Sequence, residues 1–168
     1  MIGIPTDKLY LVGFMGSGKT TLARALGRRL GWRVVDLDEE IERREGRTVS
    51  QVFAQDGEPY FRKVERDVLL AFLPARHVII ATGGGTFIQA ANRADILADG
   101  LTVWLDAPFN RIVDRVPSDG RRPLAADREA FAALFETRRA VYRLAHVRID
   151  AQGRIEALVE RVLHKLGW

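Results

Sequence analysis

Apolar residues alternate along this chain between two patterns. Short unbroken runs, as in Leu9-Tyr10-Leu11-Val12 and Val78-Ile79-Ile80-Ala81, read as strands buried on both faces. Between such runs, apolar positions fall three or four residues apart, as in Leu22, Leu26 and Leu30, or Phe61, Val64, Val68 and Phe72. That spacing lays one apolar stripe along a helix. The strands expected are Leu9 to about Phe14, Trp32–Asp36, His77–Ala81, Leu101–Asp106 and Val147–Asp150.

Helices are expected over Thr21–Leu30, stopped by Gly31, and from Asp36 to Gly46 with Asp38 as cap. Two more follow, Thr48–Gln55 and Tyr60–Leu73, separated by the turn signal Asp56-Gly57-Glu58-Pro59. The remainder are Ile88–Leu97, Pro108 to about Val116, Arg128–Leu144 and Ile155–Leu166. Strands alternating with helices imply an α/β fold of three layers, a five-stranded parallel sheet flanked by helices. In such sheets ligands sit beyond the carboxyl ends of the strands. The segments after strands one, two and three therefore share one cleft.

The first of those segments, Gly13-Phe14-Met15-Gly16-Ser17-Gly18-Lys19-Thr20, fits the phosphate-binding loop G-x-x-x-x-G-K-[S/T] at each defined position. Gly13, Gly16 and Gly18 let the backbone curl around an anion, and amides from Ser17 to Thr21 point at phosphate oxygens. Lys19 supplies a cation for the outer phosphates, and the Thr20 hydroxyl suits Mg²⁺. A strand before the loop and a helix after it argue for a nucleoside triphosphate site over a plain glycine turn.

Asp36 and Asp38 at the end of strand two suit a metal held through water, or a hydroxyl to be oriented or deprotonated. A helix cap with an acidic surface beyond it accounts for the same residues. Asp106, ending strand four, is a second metal candidate and also reads as a cap. Gly83-Gly84-Gly85 is either a flexible turn or a place where substrate approaches the backbone. Arg121 and Arg122 lie in a polar, Gly- and Pro-punctuated stretch that suits either a closing lid or a solvated loop. Arg138 and Arg139 carry the same ambiguity on their helix, and the histidines receive no chemistry.

Composition narrows the classes. A chain of 168 residues is one domain, 1–168, and 47% hydrophobic with 29% charged residues is ordinary for a globular protein. Met1–Asp7 reads as a short leader; neither a signal peptide nor a membrane span is expected, which points to a cytoplasmic protein away from membranes. The absence of cysteine excludes disulfides and thiolate metal sites. The net charge of +4 comes mostly from scattered arginines. Without a basic tail or an aromatic RNA-binding signature, they suit a small acidic substrate and no nucleic-acid partner is expected.

With these residues assembled, the chain resembles shikimate kinases over nearly its whole length. The matching pieces are GFMGSGKT, DLDEEIE, DGEPYFRKVE, TGGG, GRRPL and a looser RRAVY. The resemblance implies a P-loop kinase fold and transfer of the γ-phosphate of ATP to the 3-hydroxyl of shikimate, with one Mg²⁺, in a monomer. It assigns Asp38 to the substrate hydroxyls and the role of base, and Arg62 and Arg138 to the carboxylate. Glu65 would orient Arg62, and Gly83, Gly84 and Gly85 would give backbone contacts. Thr20 would bind the metal directly and Asp36 through water; Arg122 would be the lid arginine and Arg115 would stack on adenine. Residues of about 36–65 would form the substrate-binding subdomain and about 116–128 the lid.

The family commonly has Arg-x-Pro-Leu-Tyr where this chain has Arg138-Arg139-Ala140-Val141-Tyr142, so Arg139 stays in contention. The short loop after Asp150 offers Gln152 and Arg154 to the base. A gluconate kinase-like enzyme would share the phosphate loop, but Arg62, Glu65 and the glycines speak against it. A GTP switch would rest on Asn92-Arg93-Ala94-Asp95, which lacks the lysine of the guanine-reading motif.

Overall fold

The computed structural model describes residues 3–115 and 127–168. Over these the order is β1 (Lys8–Val12), α1 (Lys19–Leu30), β2 (Arg33–Asp36), α2 (Leu37–Glu45), α3 (Val49–Phe72) and β3 (Val78–Ala81). There follow α4 (Ala90–Asp99), β4 (Leu101–Asp106), α5 (Phe109–Arg115), α6 (Arg128–Tyr142), β5 (Val147–Asp150) and α7 (Ile155–Leu166). The expected α/β architecture is the one observed.

The strands make a single sheet in the order β2-β3-β1-β4-β5, and each neighbouring pair is parallel. Tyr10 in the middle strand lies level with Ile80 on one side and Thr102 on the other. Every residue of β1 and β3 is buried, because helices cover both faces as parallel crossovers require. Beyond β1 the chain turns first to one side of the sheet and later to the other. The loop Gly13–Gly18 leaves β1 at that reversal, and the Thr82–Gly85 loop leaves the adjacent β3.

Local chemistry fixes the helix ends that matter for the cleft. Asp36, and not Asp38, caps α2: its extended backbone lets Oδ1 accept from the Glu39 amide at 3.1 Å. Asp38 already lies inside the first turn of α2. Thr48 and Gln51 form a capping box at the start of α3.

The two helices expected on either side of Asp56–Pro59 are the two arms of α3, which meet at a non-helical residue, Gly57. Gly57 sits at φ 82° and ψ 172°, breaks the hydrogen-bond ladder, and so makes room for Pro59 two residues later. Successive turns, Thr86 N–H to Gly83 carbonyl and Ile88 N–H to Gly85 carbonyl, delay α4 to Ala90, two residues after the expected start.

Candidate active site

The phosphate loop is held from beneath by β4. A Cβ on Gly13, whose φ is 150°, would lie 2.7 Å from the Leu105 carbonyl oxygen and 3.0 Å from Ser17 Oγ, so only glycine fits. The Ser17 amide closes the loop on the Phe14 carbonyl at 3.2 Å. Lys19 is nearly buried and its Nζ donates to the carbonyls of Gly13 at 2.7 Å and Phe14 at 3.0 Å, laying the ammonium across the loop. Arg115, at the end of α5, donates to the Gly16 carbonyl at 3.3 Å and flanks Gly18. Thr21 is exposed just past the loop, beside Thr20.

Thr20 Oγ1 donates to Asp36 Oδ2. Because Asp36 Oδ1 is occupied by the cap of α2, the carboxylate is turned toward Thr20 by the same backbone that starts the helix. Among the described residues no group of three or more His, Asp and Glu side chains gathers around a metal position. Two hard oxygen donors beside a phosphate loop nonetheless fit Mg²⁺, which keeps waters and phosphate oxygens as its remaining ligands.

Opposite the loop, three successive glycines face charged side chains. A Cβ on Gly83 would stand 2.8 Å from Asp38 Oδ1 and 3.4 Å from Glu65 Oε2; one on Gly84 would meet Arg138 Nη1 at 3.3 Å and the Met15 amide at 3.4 Å. On Gly85 it would fall 2.4 Å from Arg62 Nη2. The glycines thus admit four charged side chains against bare backbone.

Glu65 anchors this group. It is 1% exposed and accepts from Arg62 Nη1 and from Thr86 Oγ1, both at 2.9 Å. A buried carboxylate needs such donors. Arg138 is also buried, lies over the Phe14 ring at 5.9 Å, and has its pKa pushed down by burial first and by Arg62 as a like charge. Two guanidinium groups sharing a desolvated pocket form a ready receptor for a carboxylate. Tyr142, one turn along α6, donates to the Gly84 carbonyl and locks that face of the helix onto the glycines.

The adjacent Arg139 goes elsewhere. Its Nη2 donates to Asp106 Oδ2 at 3.1 Å and its guanidinium lies over Trp104 at 5.9 Å. Asp106 also takes Arg148, so its carboxylate is engaged by two arginines rather than open to a metal. Gln152 is exposed, its amide on Asp150 and its carbonyl on Arg161, while Arg154 is exposed ahead of α7 near Glu156. Arg121 and Arg122 lie outside the described residues. In the Asn92–Asp95 segment, Asn92 binds the Thr86 carbonyl and Asp95 pairs with Arg66 at 2.6 Å, which commits both to packing α4.

The sequence profile of the family described as shikimate kinase matches residues 15–167. The chain belongs to the shikimate kinase family. It is 40% identical to a shikimate kinase of Sulfurihydrogenibium over 160 residues, 94% of this chain and 96% of that one. Against one from Persephonella marina the figure is 39% over 147 residues, 87% of this chain and 90% of the other. The solved shikimate kinase of Acinetobacter baumannii in complex with shikimate superposes with a TM-score of 0.91 at 36% identity, covering 96% of this chain and 93% of that chain.

Set among shikimate kinases, the site contains partners that sequence reading missed. Thr86 on Glu65, the Tyr142 bond to Gly84 and Arg148 on Asp106 are contacts that no motif announces. Thr86 directly follows the glycines, and Tyr142 stands four residues after Arg138 on one helix face, which were the available signals.

Proposed function

We propose that this chain transfers the γ-phosphate of ATP to the 3-hydroxyl of shikimate, giving ADP and shikimate 3-phosphate. The observation that carries the reading is the arrangement of Asp38, Glu65, Arg138 and Arg62 against Gly83–Gly85, beside the phosphate loop. It offers two cations for one carboxylate, one carboxylate for hydroxyls and a triphosphate cradle. Those are the groups that a small polyhydroxylated acid and ATP require.

In this account amides of Gly13–Thr20 bind the β-phosphate and Lys19 leaves its loop carbonyls for the outer phosphate oxygens. Arg62 and Arg138 clamp the substrate carboxylate in bidentate fashion, each contact contributing about 1.5–3 kcal/mol. Glu65, too buried to meet substrate, keeps Arg62 in that orientation. Asp38 accepts a hydrogen bond from the attacking hydroxyl and takes its proton; the hydroxyl oxygen bonds to the γ-phosphorus while the bond from that phosphorus to the β–γ bridging oxygen breaks and ADP leaves. Thr20 and Asp36 would hold a Mg²⁺ ion, which would supply charge neutralisation at the transferring phosphate.

Arg115 borders the nucleotide side, with Gln152 and Arg154 near the base. Arg122 is assigned to the lid of residues 116–128, and residues 36–65 to the substrate-binding subdomain. We assign the enzyme to the cytoplasm, where ATP is supplied, as a monomer. No helix among the described residues is long and apolar enough to cross a membrane.

ADP release from ATP and Mg²⁺, measured with shikimate, quinate and gluconate, tests the reading. Strong stimulation by shikimate alone is the expected result. Stimulation by gluconate would retain the ATP site and overturn the roles of Arg62 and Arg138. The absence of stimulation by any of the three would move the argument toward a nucleotide-dependent switch.

A further inference from the structure

Asp106 closes β4 outside the ring of charged groups around Gly83–Gly85, yet it is buried to 9% exposure and heavily used. Its Oδ2 receives Arg139 Nη2 at 3.1 Å from α6, and Arg148 Nε at 2.8 Å and Nη2 at 2.6 Å from β5. Both guanidinium groups lie over the Trp104 ring, at 5.9 and 5.4 Å. Its backbone carbonyl takes the Ala151 amide at 3.1 Å. One residue therefore joins β4, β5 and α6.

Arg138 and Arg139 are consecutive on α6 and point about 100° apart around its axis. A helix tied down through Arg139 cannot roll without moving Arg138. Tyr142, on the side of Arg138, ties the same helix to the Gly84 carbonyl. These two ties set the roll of α6, and the short distance from Arg138 Nη1 to the Gly84 position depends on it.

We propose that Asp106 is a positioning residue for the acid-binding site, acting through Arg139 to fix the roll of α6 that presents Arg138 at Gly84. The inference rests on the assignment of Arg138 to the substrate carboxylate. Replacing Asp106 by asparagine keeps the shape and removes the charge. Arg139 and Arg148 then face each other over Trp104 without their counter-ion, and their repulsion pushes α6 outward.

Steady-state kinetics of Asp106→Asn, Arg139→Gln, the double variant and Arg138→Ala form the test. Expected is a shikimate KM raised roughly tenfold in each single variant at Asp106 or Arg139, the loss from one displaced charged contact. The KM for ATP and kcat should stay within about twofold, a split that general destabilisation would not produce. The double variant should be no worse than the poorer single one, because both remove one link.

An unchanged shikimate KM in Asp106→Asn, with Arg138→Ala raising it, overturns the inference alone. Additive effects in the double variant would do the same. An unchanged KM in Arg138→Ala would instead remove the carboxylate assignment itself. Should Asp106→Asn fail to fold, Arg139→Gln breaks the same tie from its more exposed end and decides the matter by the same KM.

Discussion

Gly85 and Arg62 approach so closely that no methyl group fits between them: a Cβ on Gly85 would lie 2.4 Å from Arg62 Nη2. Arg62 has little room to give way, since Glu65 holds its Nη1 at 2.9 Å and Glu58 lies 3.4 Å from its Nε. The backbone of one loop therefore shapes the position of a guanidinium 23 residues away in sequence.

Gly85→Ala should displace Arg62 from that position. The shikimate KM is expected to rise roughly tenfold or more, with the KM for ATP little changed, because a misplaced substrate clamp affects only its own ligand. Initial-rate kinetics over both substrates check this. A normal shikimate KM in a folded Gly85→Ala variant would take Arg62 out of the acid site.

Asp36 serves α2 through one oxygen and Thr20 through the other, and two substitutions separate those duties. Asp36→Ala should cost about 1 kcal/mol of stability from the lost cap and also raise the Mg²⁺ concentration for half-maximal rate. Asp36→Ser keeps a capping oxygen, so it should recover most of the stability while the Mg²⁺ requirement stays high. Denaturant unfolding and a Mg²⁺ titration read the two effects apart. A normal Mg²⁺ requirement in both variants would confine Asp36 to capping.

Two buried phenols make stability fall in alkali. Burial pushes the pKa of Tyr142 well above its ordinary value, and the Tyr10 phenol is raised by burial and by its 2.5 Å hydrogen bond to Asp99. Below about pH 10 both are protonated whether the chain is folded or not. Above it the unfolded chain loses protons that the folded one keeps, so folding free energy drops as pH rises. Tyr142→Phe should lower the slope between pH 10 and 11 by about 1.4 kcal/mol per pH unit at most. Urea unfolding at successive pH values measures it, and an unaltered slope would mean that Tyr142 titrates normally.

Much of this was readable from residue order. The strand–loop–helix around Lys19, the alternation of strands and helices, and the separate clues at Asp38, Arg62 and Gly83–Gly85 are local patterns. What was not readable depends on contacts between distant segments. The spacing from Tyr142 favours Arg138 while the missing proline keeps Arg139 in contention; Gly84 on one side and Asp106 on the other tell them apart. Asp38 looked like a cap because both aspartates stand near a helix start, and only the backbone angle at Asp36 decides between them. The turn signal at Gly57 was sound: its backbone leaves the helical region there and separates the two arms of α3.

Phosphorus–proton NMR of the product made from ATP and shikimate tests the central claim most directly. It reports both that transfer occurs and which hydroxyl receives the phosphate. A single phosphate ester, its phosphorus coupled to the proton on carbon 3, is the expected result for wild type, and Asp38→Asn should yield almost none. A phosphate on another carbon would contradict the placing of Asp38 at the 3-hydroxyl. Inorganic phosphate in place of any ester would contradict the kinase itself.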